Sequence, residues 1–189
     1  MKSLYLLLTC SDTYLSRSIR HITADPYTHS ALCFTPELLP IYSFGRKFAS
    51  LAFPAGFTKD RLGKGFLRKH RKMPCVLLEL PVEDDAYLRA KELVAVFEEN
   101  SKDYRYNVLG LILCGRQIAY EREHHFFCSQ FVATVLQKSG AAVIPKAPSL
   151  MRPADFIELP GAKVVFEGSV HTLEKLQLAG GWEKEYQKK

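Results

Sequence analysis

The sequence of 189 residues contains no run of about 18 apolar residues, so it predicts no membrane-spanning helix. The apolar residues Leu4 to Leu8 follow one lysine and precede no small-residue cleavage site. We therefore interpret them as a buried strand and not as a signal peptide. Internal repeats and low-complexity segments are also absent, and a single domain is expected over residues 1–189.

Cysteine is scarce, and its spacing suits neither cross-linking nor metal binding. The five cysteines are an odd number, none belongs to a C-x-x-C pair, and most stand in apolar segments. This pattern is typical of reduced thiols in a cytoplasmic protein and disfavours a disulfide framework or a zinc site. We expect no metal and no other cofactor.

Basic residues outnumber acidic ones, and the formal net charge is +6. Seven basic side chains fall between Lys59 and Lys72, within an irregular insertion predicted at about residues 48–72. Long irregular segments are often lids or binding elements, and this basic run could meet an anionic surface. The run lacks the interleaved aromatic residues that stack bases, so we expect no specific nucleic-acid partner.

Hydrophobic periodicity predicts an α+β fold with a small antiparallel sheet. Strands are expected at residues 1–10, 27–34, 39–44, 74–82 and 162–166, and helices at 12–24, from 83 onward, at 108–114 and around 131–139. Gly140 stands where the last of these helices needs a C-cap glycine. Strands and helices do not alternate as in βαβ units, which favours the α+β class.

The stretch from His125 to Leu136 places Cys128 at the joint between an aromatic run and an amphipathic helix. In the first turn of a helix, unpaired backbone N–H groups and the helix dipole favour a thiolate, which is the nucleophilic form of cysteine. Cys128 is therefore a candidate nucleophile. The alternative is a small buried residue that fills space beside two phenylalanines.

A cysteine nucleophile needs a base that takes its proton. Among the six histidines, His29 opens a predicted strand, and the small residues Ser30 and Ala31 that follow it leave room for a helix. These features favour His29 as the base. The alternative is a structural histidine at a strand end.

A base histidine also needs a group that orients its ring. With a turn near Pro36, antiparallel pairing brings a residue between Ser43 and Gly45 opposite His29. Ser43 is the polar candidate in this window, and Tyr42 is the alternative.

Taken in order, these pieces resemble a known superfamily. The chain resembles the circularly permuted branch of the papain-like NlpC-type superfamily in four pieces and in their order. The pieces are an initial apolar strand, then Ser16 to Thr23, then Tyr27 to Leu32, and far downstream Phe126 to Val132. This branch includes YiiX-like proteins and lecithin-retinol-acyltransferase-like enzymes. Ordinary papain-like enzymes have the nucleophile helix first, and the order here is reversed. The resemblance covers the whole chain.

The resemblance implies a cysteine-dependent hydrolase of the amidase or peptidase type, with Cys128 as nucleophile and His29 as base, working through an acyl-enzyme. It also implies a tyrosine that lines the substrate cleft, best matched by Tyr106 or Tyr104. We assign Tyr42 to the same substrate-binding set.

Two further segments bear on the resemblance. Met151 to Phe156 is similar to the Pro-x-Asp segment that follows the cysteine helix in the family. Ser43 departs from the family, where the third catalytic position commonly holds histidine, glutamate or glutamine. A two-residue Cys-His site therefore stays open as an alternative.

Two other functions remain open from the sequence. The first is a lipid or ester acyltransferase or thioesterase at the same site, for which the region from Phe48 to Phe57 and its basic neighbour would suit a membrane surface. The second is a non-catalytic binding module that keeps the fold, because a fold alone does not determine function. The expected partner is a small peptide-like or acyl substrate.

Overall fold

The computed structural model describes residues 1–10, 25–46 and 55–181 of the chain. The helix predicted at residues 12–24, and with it the Ser16–Thr23 piece of the resemblance, lies outside these described residues.

A six-stranded antiparallel sheet forms the centre of the described structure, with strand order β4-β3-β2-β1-β5-β8. Its strands are β1 (Lys2–Thr9), β2 (His29–Cys33), β3 (Ile41–Arg46), β4 (Ala55–Asp60), β5 (Pro74–Val82) and β8 (Lys163–Ser169). Two short strands, β6 (Arg105–Tyr106) and β7 (His125–Phe126), form a separate parallel pair. The apolar strand β1 lies inside the sheet and pairs with β5 along its whole length.

Helices cover both faces of this sheet. They are α1 (Gly65–Lys69), α2 (Asp84–Glu99), α3 (Val108–Gly115), α4 (Cys128–Ser139) and α5 (Val170–Leu178), with 3-10 helices at Pro148–Leu150 and Pro153–Glu158. Side chains alternate between the two faces of a strand, so β1 contributes to two cores. Leu4, Leu6 and Leu8 pack with α2 and α4, whereas Tyr5 and Leu7 pack with α1 and α5. The α+β class is therefore shown.

The helix ends follow the predicted capping rules. Asp84 and Asp85 lie in the first turn of α2, where carboxylates interact favourably with the helix dipole. Gly140 ends α4 with φ 74°, a conformation that glycine adopts at little cost. No helix in the described part of the chain is both long and apolar enough to cross a membrane.

The irregular insertion predicted at about residues 48–72 contains regular structure, a strand at Ala55–Asp60 and a helix at Gly65–Lys69. Strand β4 pairs with β3 over its full length, and Phe57 is buried in the core. Gly56 and the polar residues that follow Phe57 hide this strand in the sequence, because only one of its faces is apolar. Residues 61–72 include a short helix, α1, that buries Leu67. Helix α5 was also not predicted.

Candidate active site

Cys128 is the first residue of α4, a helix in which ten of twelve residues are buried. The residue is only 2% exposed. The sulfur lies 4.0 Å from the carbonyl oxygen of Thr28, the residue just before β2. The first turn of α4 therefore meets the sheet at the start of β2, where His29 stands.

Two opposing influences act on the pKa of Cys128. Burial away from water is the larger one and raises the pKa, because a charge is poorly solvated there. Hydrogen bonds to the thiolate from the Ser30 N–H, the Ser30 hydroxyl, and the N–H groups of Ser129 and Cys128 lower it. The net direction is upward. The thiolate that the helix N-terminus predicted is therefore not the resting form, because burial outweighs these donors.

His29, the first residue of β2, hydrogen-bonds to Ser43 on β3, with 3.1 Å between Nε2 and Oγ. Strands β2 and β3 pair at Leu32 and Tyr42, and the continued antiparallel register places Gly45 opposite His29. A Cβ at Gly45 would lie 3.4 Å from Cε1 of the imidazole, so this glycine leaves room for the ring. The structure thus brings His29 and Ser43 into contact.

The hydrogen bonds of Ser43 determine which nitrogen of a neutral His29 carries the proton. The Ser43 hydroxyl donates its one proton to the Ser30 carbonyl oxygen at 2.7 Å, because a carbonyl can only accept. The same hydroxyl must then accept from His29, which makes Nε2 the protonated nitrogen. The nitrogen of His29 that can take up a proton is therefore Nδ1.

Tyr42 lies on the opposite face of β3 from Ser43, because successive strand residues alternate. Its ring centroid is 6.0 Å from that of Phe34 and 6.1 Å from that of Phe57. The pKa of Tyr42 is raised, first by burial. Ser43, and not the alternative Tyr42, thus makes the contact with the His29 ring.

Tyr104 and Tyr106, the other predicted substrate-binding residues, pack against the core on the α4 face of the sheet. The Tyr104 ring lies 4.7 Å from the ring of Phe97 and 5.4 Å from that of His124. Tyr106 pairs with Phe126 between β6 and β7. Both tyrosines therefore adjoin the segment that leads into α4.

A cleft of about 420 Å³ lies along the outer side of α4. Tyr104, His124, Gln130 and Lys138 contribute to its lining. Neither Cys128 nor His29 lines this cleft. It is therefore not a substrate cleft formed around the thiol.

The sequence patterns do not predict a buried hydrogen bond between Asn107 and Gln130. Asn107 Nδ2 donates to Gln130 Oε1 at 3.3 Å, and Asn107 Oδ1 accepts from the Gly110 N–H at 2.9 Å. A Cβ at Gly110 would clash with the Asn107 side chain, so a larger residue here would displace the capping amide. The signal in the sequence was an asparagine N-cap before an apolar helix. The pair joins the start of α3 to the first turn of α4.

Acidic side chains neutralise part of the basic run. Lys59 lies 2.6 Å from Glu98 of α2, and Arg71 lies 3.2 Å from Glu174 of α5. These ion pairs occupy two of the seven basic side chains. An anionic surface as the partner of this run stays a prediction.

Within residues 1–10, 25–46 and 55–181, no three His, Cys, Asp or Glu side chains are grouped closely enough to hold a metal ion.

Comparisons of the chain with family models, with curated proteins and with solved structures gave no match. The resemblance to the permuted papain-like superfamily therefore depends on the motifs and their order. Any function proposed for Cys128, His29 and Ser43 depends on their contacts in the structure.

Proposed function

We propose that this protein is a cysteine-dependent hydrolase of the amidase or peptidase type, with Cys128 as nucleophile and His29 as base. The main support is the position of the Cys128 sulfur against Thr28 and Ser30, the two residues that flank His29. The fold proposed with it is the circularly permuted papain-like fold. An antiparallel sheet that packs against the helix of Cys128 supports this fold.

The reaction would start from a neutral thiol, because burial raises the pKa of Cys128. As the sulfur attacks the substrate carbonyl carbon, the thiol proton passes to Nδ1 of His29. The new imidazolium keeps its Nε2–H hydrogen bond to Ser43 Oγ, whose proton is held by the Ser30 carbonyl. The N–H of Cys128 is the proposed donor to the developing oxyanion.

Collapse of the tetrahedral intermediate would break the bond from the carbonyl carbon to the leaving nitrogen or oxygen. The imidazolium of His29 gives its proton to that leaving group, and the acyl group remains on the sulfur as a thioester. Water then attacks the thioester carbonyl carbon and gives a proton to Nδ1 of His29, the C–S bond breaks to release the acid, and that proton passes to the sulfur. The leaving group thus carries away the original thiol proton, and water supplies the proton that restores the thiol.

A lipid or ester acyl substrate is the second candidate, and the surface of α3 favours it. Leu109 and Ile112 are 51% and 37% exposed, next to the asparagine that joins α3 to the first turn of α4. Exposed apolar side chains on a helix joined to the first turn of α4 would suit an acyl chain. Transfer to an acceptor other than water would make the protein an acyltransferase.

A binding module without turnover is the third candidate. Its support is the burial of Cys128, which raises the pKa of the thiol. A thiol of this kind can also be a structural residue.

All five cysteines are unpaired, which supports a cytoplasmic location as part of the proposal.

The test is a panel of chromogenic peptide amides and short-chain and long-chain esters, assayed with the wild type, His29→Ala and His125→Ala. His125 is the matched control, because it lies three residues before Cys128 and its Nδ1 hydrogen-bonds to the Glu123 carbonyl. We expect turnover that His29→Ala lowers by roughly 10²-fold or more and His125→Ala leaves unchanged. Equal turnover in both variants, or none on the whole panel, would contradict the proposal. A preference for long-chain esters would favour the second candidate.

A further inference from the structure

The hydroxyl of Ser30 is a buried polar group for which the fold provides no partner in the resting protein. Ser30 is 0% exposed, and among the described residues its Oγ has no hydrogen-bond partner while the thiol is neutral. Buried hydroxyls are normally paired, because an unpaired one loses its hydrogen bonds to water. An exception of this kind suggests that the partner is present in another state of the site.

The position of Ser30 on β2 identifies that partner. The Cys128 sulfur lies 4.0 Å from the Thr28 carbonyl oxygen, and in an extended strand the N–H of residue 30 points to the same edge as the carbonyl of residue 28. The N–H of Ser30 therefore stands beside the sulfur. Both its N–H and its hydroxyl favour the thiolate form of Cys128.

The neighbouring groups separate the two protonation states of Cys128. A thiol can donate, and the sulfur lies 4.0 Å from the Thr28 carbonyl oxygen, which can only accept. A thiolate can only accept, and it has two donors in Ser30. The carbonyl of the same Ser30 also accepts from Ser43, the residue that holds the His29 ring.

We propose that Ser30 is a positioning residue for Cys128, whose hydroxyl and N–H hold the sulfur once its proton has passed to His29. The donors of Ser30 favour the thiolate of Cys128, and its carbonyl accepts from Ser43, so one residue links the nucleophile to the base. This inference rests on the proposed function, because it concerns the same thiol.

The test is the rate of Cys128 alkylation by iodoacetamide against pH, followed by mass spectrometry of the Cys128 peptide. The variants are Ser30→Ala, which removes the donor, and Thr28→Val, the matched control. Thr28 Oγ1 is also buried without a hydrogen-bond partner among the described residues, but it does not contribute to the pKa of Cys128 as Ser30 does.

We expect Ser30→Ala to move the alkylation profile upward by about one pH unit, the effect of one lost hydrogen bond to a charged group. Thr28→Val should leave the profile in place. Equal shifts in both variants, or no shift in Ser30→Ala, would overturn the inference. An unfolded Ser30→Ala protein would also overturn it, because an unpartnered hydroxyl should not be required for folding.

The same variants distinguish this inference from the proposed function. Turnover that depends on His29, together with an unshifted Ser30→Ala profile, would retain the function and reject the role of Ser30. A shifted profile in a protein that turns over no substrate would retain the role of Ser30 and reject the hydrolase.

Discussion

A buried cysteine lies at each end of β2, Cys33 within the strand and Cys128 on the helix packed against its start, and the two thiols differ in their surroundings. Cys33, the last residue of β2, is 0% exposed, and burial alone acts on its pKa and raises it. Cys128 packs against the start of the same strand and is almost as deeply buried, but hydrogen-bond donors oppose the effect of burial there. Burial makes both thiols poor nucleophiles. Polar groups at one end of β2 therefore distinguish the candidate nucleophile from a structural cysteine.

Strand pairing explains why the two ends differ. At Leu32, next to Cys33, β2 pairs with β3 in the ordinary way. At Ser30 the carbonyl accepts from the side chain of Ser43. The N–H of the same residue is one of the groups that lower the pKa of Cys128. The start of β2 thus carries polar contacts that its end at Cys33 does not show.

The largest expected effect separates the two cysteines directly. Cys128→Ala should lower acyl-transfer turnover by roughly 10³-fold or more, because it removes the nucleophile. Cys33→Ala should keep turnover and cost about 1 kcal/mol of unfolding free energy, because it only shortens a buried side chain. Steady-state kinetics and urea denaturation measure the two effects. Equal turnover in the two variants would contradict the proposal that Cys128, and not Cys33, is the nucleophile.

Ser43→Ala should have the next largest effect, a roughly tenfold to hundredfold loss of turnover, because His29 Nε2–H loses its acceptor. Thr58→Ala is the control. The Thr58 hydroxyl donates to the Ser43 carbonyl at 3.3 Å, on the strand beside Ser43. Turnover should be unchanged in this variant. If Thr58→Ala slowed the reaction as much as Ser43→Ala, the loss would reflect disturbance of β3 and not of His29.

The smallest effect concerns the support of α4. Asn107→Ala should cost about 1 kcal/mol through loss of a helix N-cap. It should also slow turnover a few-fold, because Gln130 in the first turn of α4 loses its donor.

Ser169→Ala is the matched N-cap control for this prediction. The Ser169 hydroxyl accepts from the Thr172 N–H at the start of α5, on the other face of the sheet. Thermal denaturation should show a loss in both variants, larger in Asn107→Ala because buried Gln130 also loses its donor, with turnover lowered in Asn107→Ala alone. A similar loss of turnover in both would mean that stability, and not the position of α4, is limiting.

Local sequence patterns were sufficient for much of this structure. The apolar runs predicted β1 and β5, because strands buried on both faces are continuously hydrophobic. A turn near Pro36 placed Ser43 to Gly45 opposite His29, and the register that continues from Leu32 and Tyr42 puts Gly45 there. The position of the turn alone thus predicts the short stretch of β3 that contacts His29.

The rest depends on contacts between distant parts of the chain. The sequence pattern does not predict strand β4, because its one apolar face holds few residues. One of them, Phe57, becomes buried only when β3 and the helices pack against it. The protonation state of Cys128 depends on how deeply α4 packs, which its periodicity does not determine. In the sequence, only the small size of Ser30 points to a role, as room for a helix beside His29. Its donors acquire a role when Cys128, 98 positions away, packs against it.

The most direct test of the central claim is to find which residue carries the acyl group during turnover. The wild-type protein would be mixed with an activated ester, quenched in acid and analysed by peptide mass spectrometry. We predict a thioester on Cys128, with Cys33 unmodified. An acyl group on another residue, or turnover with no acyl group on Cys128, would contradict the assignment of Cys128 as the nucleophile.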